Sequence, residues 1–355
     1  MDYFEYGFIS LSKNHGGAFV KQIRVALLIV NCLLPFTIGA QVDMRHLPRI
    51  PDATLLVGYQ DYGLILTTGD KTIQLPPETD GSFIETSITA DGRVLAAGHH
   101  IDQEAQTVRS RATVATYSIA DKKWHAFKDI EFTYKNISIS PDGAKMAYVA
   151  HDYEIKQDHL NILDIKSGNV SEGPLIHLSS SMPLTSISWA PDGKRIVFEC
   201  DDGSSAGSYF SPMHHSIYIF EIESGLTRKI GIGQQPSWSP SGEWVAFFDY
   251  APDREHPTHE WMEKKGWHNV TGPKQLSMVH PDGTGTTTLF TFKEFLLDIW
   301  FYHSPVWSPD SKSILINLVR DEAFNMNIDV IDIATRRVTK KFRKCPPVYA
   351  WIAER

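Results

Sequence analysis

A chain of 355 residues with a formal net charge of -8 and a pI near 6.0 lacks the basic face that phosphate-backbone binding requires, so its balance of charge argues against a nucleic-acid partner. With 42% hydrophobic and 11% aromatic residues, the chain carries enough apolar material for a packed core, which sets aside global disorder.

Taken in chain order, residues 1–40 read as an export segment. Lys21 and Arg24 form the positive flank, and Val25 to Ala40 is an apolar run interrupted by Asn31 and Thr37. Ile38-Gly39-Ala40 supplies the small residue at which a signal peptidase would cut before Gln41. At about 16 residues the run falls short of the roughly 20 that span a bilayer. The expectation is therefore a periplasmic or secreted protein with a cleaved signal peptide. The alternative is membrane attachment through that segment left uncleaved, the only membrane contact foreseen. Residues 41–51 form a short linker.

From residue 52 onward the sequence repeats itself. Ser87–Ala97, Ser138–Tyr148, Ser188–Phe198, Ser237–Phe247 and Val306–Ile316 each place an aromatic or aliphatic residue before a turn of the Ser-Pro-Asp-Gly kind, and a short apolar run after it. The turn positions Asp91, Asp142, Asp192, Ser241 and Asp310 are spaced by 51, 50, 49 and 69 residues. One unit thus carries an insertion, residues 249–275, and the others match the ~40–50-residue period of a four-stranded blade. Proline fixes φ, aspartate bonds its own backbone, and glycine tolerates a positive φ, so the chain reverses at each turn.

The inner strands are expected to end at Ile88, Ile139, Trp189, Trp238 and Trp307, and second strands to follow from Val94, Met146, Ile196, Val245 and Ile314. Those second strands read as buried on both faces. At the ends of the chain, Asp52–Tyr59, Gly63–Thr68 and Lys71–Leu75 match second, third and fourth strands without a first. Pro347–Trp351 matches a first strand with nothing after it. Joining them in one blade removes an exposed sheet edge. The predicted fold is therefore all-β: a six-bladed propeller of four-stranded antiparallel blades over residues 52–355, closed by its two termini. Cys200 and Cys345 then fall in blades that are not neighbours and are expected as unpaired thiols.

The Trp-Ser-Pro-Asp-Gly turns around Trp189, Trp238 and Trp307, with third strands such as Ile217–Gly225 and Ile328–Ala334, resemble the TolB-like family of WD-type propeller repeats. The resemblance implies an exported bacterial propeller that binds another macromolecule. TolB itself carries an α/β domain before its propeller, whereas here the repeats begin within a dozen residues of the export segment, so a role in the Tol–Pal system is not implied.

Chemistry-bearing motifs are sparse. Gly203-Ser-Ser205-Ala-Gly207 fits the nucleophile-elbow pattern but lacks the strand–turn–helix context that the motif needs. Fifteen histidines include His99-His100, His214-His215 and His256 with His259, yet none forms the His-Glu-x-x-His spacing of a zinc protease. No metal site, catalytic residue or cofactor is assigned. A divalent metal is weighed only in the alternative, a carbohydrate-active lyase or hydrolase similar to oligogalacturonate lyases.

Position within the repeat is more informative. Counting nine residues past each turn aspartate reaches the end of the second strand, which gives Asp61, His100, His151, Asp201, Tyr250 and, one residue later, Arg320 as candidate ligand contacts at the mouth of the central channel. His177 and His303 lie on the connections that reach the same end. The insertion adds Trp261 and Trp267 as candidate sugar or protein contacts. The reading from sequence is a monomeric, non-enzymatic scaffold that holds a protein or glycan, with the lyase as its rival.

Overall fold

A computed structural model gives the structure of the chain. It describes residues 47–51, 53–59, 63–68, 71–75, 83–89, 92–100, 111–118, 121–131, 137–152, 157–176, 186–201, 215–249, 275–292, 304–319 and 326–353. The export segment, most of the linker and the insertion between Asp249 and Gln275 lie outside these residues.

The described residues form a β-propeller of four-stranded antiparallel sheets. Sheet I combines β1 (Ala53–Tyr59), β2 (Gly63–Thr68) and β3 (Lys71–Gln74) with the last strand of the chain, β24 (Val348–Ala353). Sheet II holds β4 (Phe83–Ile88), β5 (Val94–His100), β6 (Arg111–Ser118) and β7 (Lys123–Glu131). Sheet III holds β8 (Ile137–Ile139), β9 (Lys145–Asp152), β10 (Gln157–Asp164) and β11 (Val170–Ile176), and sheet IV holds β12 (Ile187–Trp189), β13 (Arg195–Asp201), β14 (His215–Glu221) and β15 (Thr227–Ile232). Sheet V is β16 (Gln234–Trp238), β17 (Val245–Asp249), β18 (Gln275–Val279) and β19 (Thr287–Thr291). Sheet VI is β20 (Val306–Trp307), β21 (Ser313–Val319), β22 (Met326–Asp332) and β23 (Arg337–Cys345). The inner strands of sheets II to VI end on the five residues expected from the repeat. β24 pairs antiparallel with β1, Leu55 opposite Trp351, so the two ends of the propeller meet in one sheet.

Each turn closes by local hydrogen bonding. Ser140 Oγ donates to Asp142 Oδ1 at 2.6 Å, and the same carboxylate oxygen accepts from Ala144 N–H, while Lys145 N–H donates back to Ser140 Oγ. Ser308, Asp310, Lys312 and Ser313 repeat the pattern in sheet VI. These bonds to the charged form, the hydroxyl's first, hold the Asp142 and Asp310 carboxyls below their ordinary value. Where the repeat supplies serine in place of glycine, at Ser311, φ is +59°. The Ser311 side chain accepts a hydrogen bond from Ser241 N–H of the neighbouring turn, a contact that a glycine would lack.

Sheets pack face to face through the second strands, which are buried along consecutive residues as expected: Met146–Val149, Ile196–Cys200, Val245–Phe248 and Ile314–Leu318. The contacts between successive inner strands follow one rule. Ile139 N–H donates to Ser87 Oγ, Trp189 Nε1–H to Ser138 O, Trp238 N–H to Ser188 Oγ and Trp307 Nε1–H to Ser237 O. Trp189 and Trp307 therefore fill the gap between sheets and satisfy the indole N–H on the preceding serine's carbonyl, whereas the Trp238 indole donates to Gly242 O of its own turn. Arg195 adds its guanidinium over the Trp238 ring, 4.9 Å from the centroid.

Two details differ from the sequence reading. The end of the presumed linker is part of the packed structure: Leu47 and Ile50 are buried, and Thr67 Oγ1 donates to Pro48 O. The apolar runs of β13 and β21 are each interrupted by a buried polar residue, Glu199 and Asn317. Cys200 and Cys345 are not joined in a disulfide, as expected, and both are buried; burial pushes the Cys345 thiol up to about 12.

Candidate functional site: the channel mouth

The second strand of each sheet ends where the next inner strand begins to pair, so both contribute to one end of the propeller. His100 is the last residue of β5 and stands opposite Ala112, His151 is the penultimate residue of β9 and stands opposite Asp158, and Asp201 ends β13 opposite His215. Three of the eight mouth candidates thus occupy equivalent ends of three successive sheets. Asp61, Tyr250, Arg320, His177 and His303, with Trp261 and Trp267 of the insertion, fall outside the described residues, as does the Gly203–Gly207 motif. Among the described residues no group of three or more His, Cys, Asp or Glu could hold a metal ion.

At this same end sits a cluster that sequence reading missed, built on a bulge in β16. The pairing of β16 with β17 shifts register between Gln234 and Ser237. The inserted turn of backbone takes Gln235 to a φ of +52°, a conformation that costs a non-glycine residue about 1 kcal/mol or more and persists only when its surroundings enforce it. Three neighbours do so. Glu199 of sheet IV accepts the Gln235 N–H on Oε2 at 2.8 Å. Ser186, just before β12, donates from Oγ to Pro236 O. The Ser186 hydroxyl also meets the Ser304 hydroxyl of sheet VI. The segments leading into sheets IV and VI therefore touch beside the start of the inner strand of sheet V.

Gly233 precedes the bulge for a steric reason. A Cβ there would stand 2.5 Å from Phe247 Cδ2 and 2.6 Å from Phe248 O, so only glycine lets the chain pass this close to β17. Glu199, 1% exposed, is a buried acid that serves as an acceptor for backbone. Asn317 occupies the equivalent place in sheet VI, seven residues past its turn aspartate, and its amide bonds to Val348 of β24. The signal available in the sequence was the polar residue that breaks an apolar second strand at that fixed offset.

This arrangement can present polar groups at a rigid rim. Its described groups suit recognition by hydrogen bonding and charge.

The chain matches no protein-family model and no curated protein sequence. Among solved structures it is similar to TolB from Acinetobacter baumannii, with 14% identity over 84% of this chain and a TM-score of 0.57; the chain spans 65% of the length of that protein. It is similar to a chain of a nidogen–laminin complex, with 9% identity, 84% of this chain, 97% of the other and a TM-score of 0.54. An oligogalacturonate lyase from Vibrio parahaemolyticus aligns at 9% identity over 75% of this chain and 71% of its own, with a TM-score of 0.49. At these identities the likenesses to the first two concern architecture alone, and they agree with the repeat read from the sequence. In its fold the chain is a β-propeller, similar in architecture to TolB.

Proposed function

We propose that the chain is an extracytoplasmic, non-enzymatic binding scaffold whose sheets close into a six-bladed ring and whose channel mouth holds a protein or glycan. Closure is supported by contacts between every successive pair of sheets: the four inner-strand bonds from sheet II to sheet VI, Asn317 with Val348 from VI to I, and Ile352 of sheet I packed against the core around Tyr117 of sheet II. A ring held in this way gives a rim whose groups are fixed before a ligand arrives, which lowers the ordering cost of binding.

The observation that carries the binding reading is the bulge at Gln235-Pro236. A non-glycine residue held at positive φ by Glu199 of sheet IV, with Ser186 beside it, at the end of the sheets where β9 and β13 finish, fits a shaped recognition surface. The localisation rests on the export-like segment at 21–40.

The test is a glycan array and cross-linked capture from cell-envelope extract with wild type, a His100→Ala/His151→Ala/Asp201→Ala variant, and a deletion of 253–270. The reading expects retention by wild type and a loss of at least tenfold in the triple variant with an unchanged melting temperature. Equal retention by all three proteins would remove both the mouth and the insertion from the account.

A further inference from the structure

The outer edge of sheet VI carries a concentration of charge at odds with the rest of the chain. Residues 336–344 hold six cations, Arg336, Arg337, Lys340, Lys341, Arg343 and Lys344, and no acid, in a protein of net charge -8. All six are exposed. They lie on or beside β23, the edge strand of its sheet. The strands at the same radius in the flanking sheets, β19 (Thr287–Thr291) and β3 (Lys71–Gln74), contain no acid either.

The acids nearest the strand are already engaged. Asp329, 2% exposed and opposite Lys341, accepts from Arg343 at 2.8 Å. Asp332, opposite Arg337, accepts from the hydroxyl and N–H of Thr335. That leaves five cations without a carboxylate on the strand pair.

The register sorts the cations onto both faces of the sheet. Val338, Lys341 and Arg343 stand opposite Ile331, Asp329 and Asn327 on one face, and Arg337, Lys340 and Phe342 stand opposite Asp332, Val330 and Ile328 on the other. A polymer lying flat on the sheet would meet one set only. A strand added in the plane of the sheet sends successive side chains to alternate faces and would meet both. Among the described residues no strand pairs with the outer edge of β23; the Phe342 carbonyl accepts from Arg343 Nη1, and the other outward N–H and C=O groups can enter such a ladder. Charged side chains, lysine above all, discourage edge-to-edge pairing between copies; six cations with no interspersed acid also repel a cationic partner and attract an acidic one.

We propose that β23 is a docking edge for an acidic peptide, which joins sheet VI as a fifth strand with its carboxylates paired to Lys341 on one face and Lys340 and Arg337 on the other. This site is separate from the channel mouth and does not depend on it.

The test uses fluorescence anisotropy with a capped heptapeptide of valine and glutamate whose acids occupy consecutive positions. It is compared with the same peptide N-methylated at alternate amides, a sulfated polysaccharide, single-stranded DNA and anionic vesicles. Strand addition predicts saturable binding of the parent peptide, weakened at least tenfold by N-methylation and by Lys340→Glu/Lys341→Glu, and weakened less by Lys340→Gln/Lys341→Gln. The His100→Ala/His151→Ala/Asp201→Ala variant should bind the peptide as wild type does. No peptide binding, equal binding of the N-methylated peptide, or tighter binding of the polysaccharide, DNA or vesicles would overturn it. Circular dichroism of each variant confirms that the fold is kept; Lys340 and Lys341 are exposed.

Discussion

The side-chain amide of Asn317 holds both backbone groups of Val348: Nδ2 donates to Val348 O at 2.9 Å, and Val348 N–H donates to Oδ1 at 2.9 Å. Both residues are buried, and the pair joins the second strand of sheet VI to the closing strand of sheet I. An amide is the one side chain of this size that offers a donor and an acceptor together.

Asn317→Leu keeps the branched shape with bulkier methyl groups and removes both bonds. Leaving buried backbone groups without their side-chain partner costs about 1–3 kcal/mol for each, so chemical denaturation should show a lower midpoint, with Asn317→Asp also destabilised because it retains only the acceptor. A midpoint equal to wild type for Asn317→Leu would show that the closing strand does not rely on this residue.

Gly233→Ala should destabilise by about 1–3 kcal/mol, the range for forcing atoms into a packed site, because its Cβ would meet the backbone oxygen of Phe248 as well as the Phe247 ring. The bulge at Gln235 would shift with it. Thermal melting reads the loss, and an unchanged transition would mean that β16 can move away from β17 without cost.

Acid should weaken the fold through its turns. Asp142, Asp164, Asp282, Asp310 and Asp332 all sit below the ordinary carboxylate value, chiefly through bonds from a serine or threonine hydroxyl, or for Asp164 a backbone N–H, two or three residues away. A depressed folded value binds fewer protons than the unfolded chain does. The stabilisation is therefore complete above the unfolded value near 4 and is lost as pH falls through the folded values. Melting temperature should hold between about pH 5 and 7 and decline below about pH 4. Asp142→Asn and Asp310→Asn should each flatten that decline, and equal slopes in wild type and variants would refute the assignment.

Much of the fold was legible because each blade repeats one physical solution. Trp189, Trp238 and Trp307 mark the inner strands, the following turns need Pro, Asp and Gly for their backbone angles, and an apolar run buried on both faces comes next. The closing strand was legible for a different reason: Val348–Ala353 had no partner of its own, and β1 lacked a first strand. The bulge at Gln235-Pro236 was not legible, because its stability comes from Glu199, Ser186 and Ser304, far apart in sequence and each unremarkable alone. The basic edge escaped for the opposite reason. Its residues are adjacent, but a net charge of -8 hid them until the strand order showed that they occupy a single free edge.

A scaffold that binds by a preformed rim needs no metal, whereas a lyase reading of the same propeller calls for one. Elemental analysis of the purified protein, with melting curves before and after chelation, separates the two. The scaffold account predicts manganese, calcium and zinc well below one per chain and a melting temperature that chelation leaves unchanged. A stoichiometric divalent metal whose removal lowers the melting temperature would contradict it.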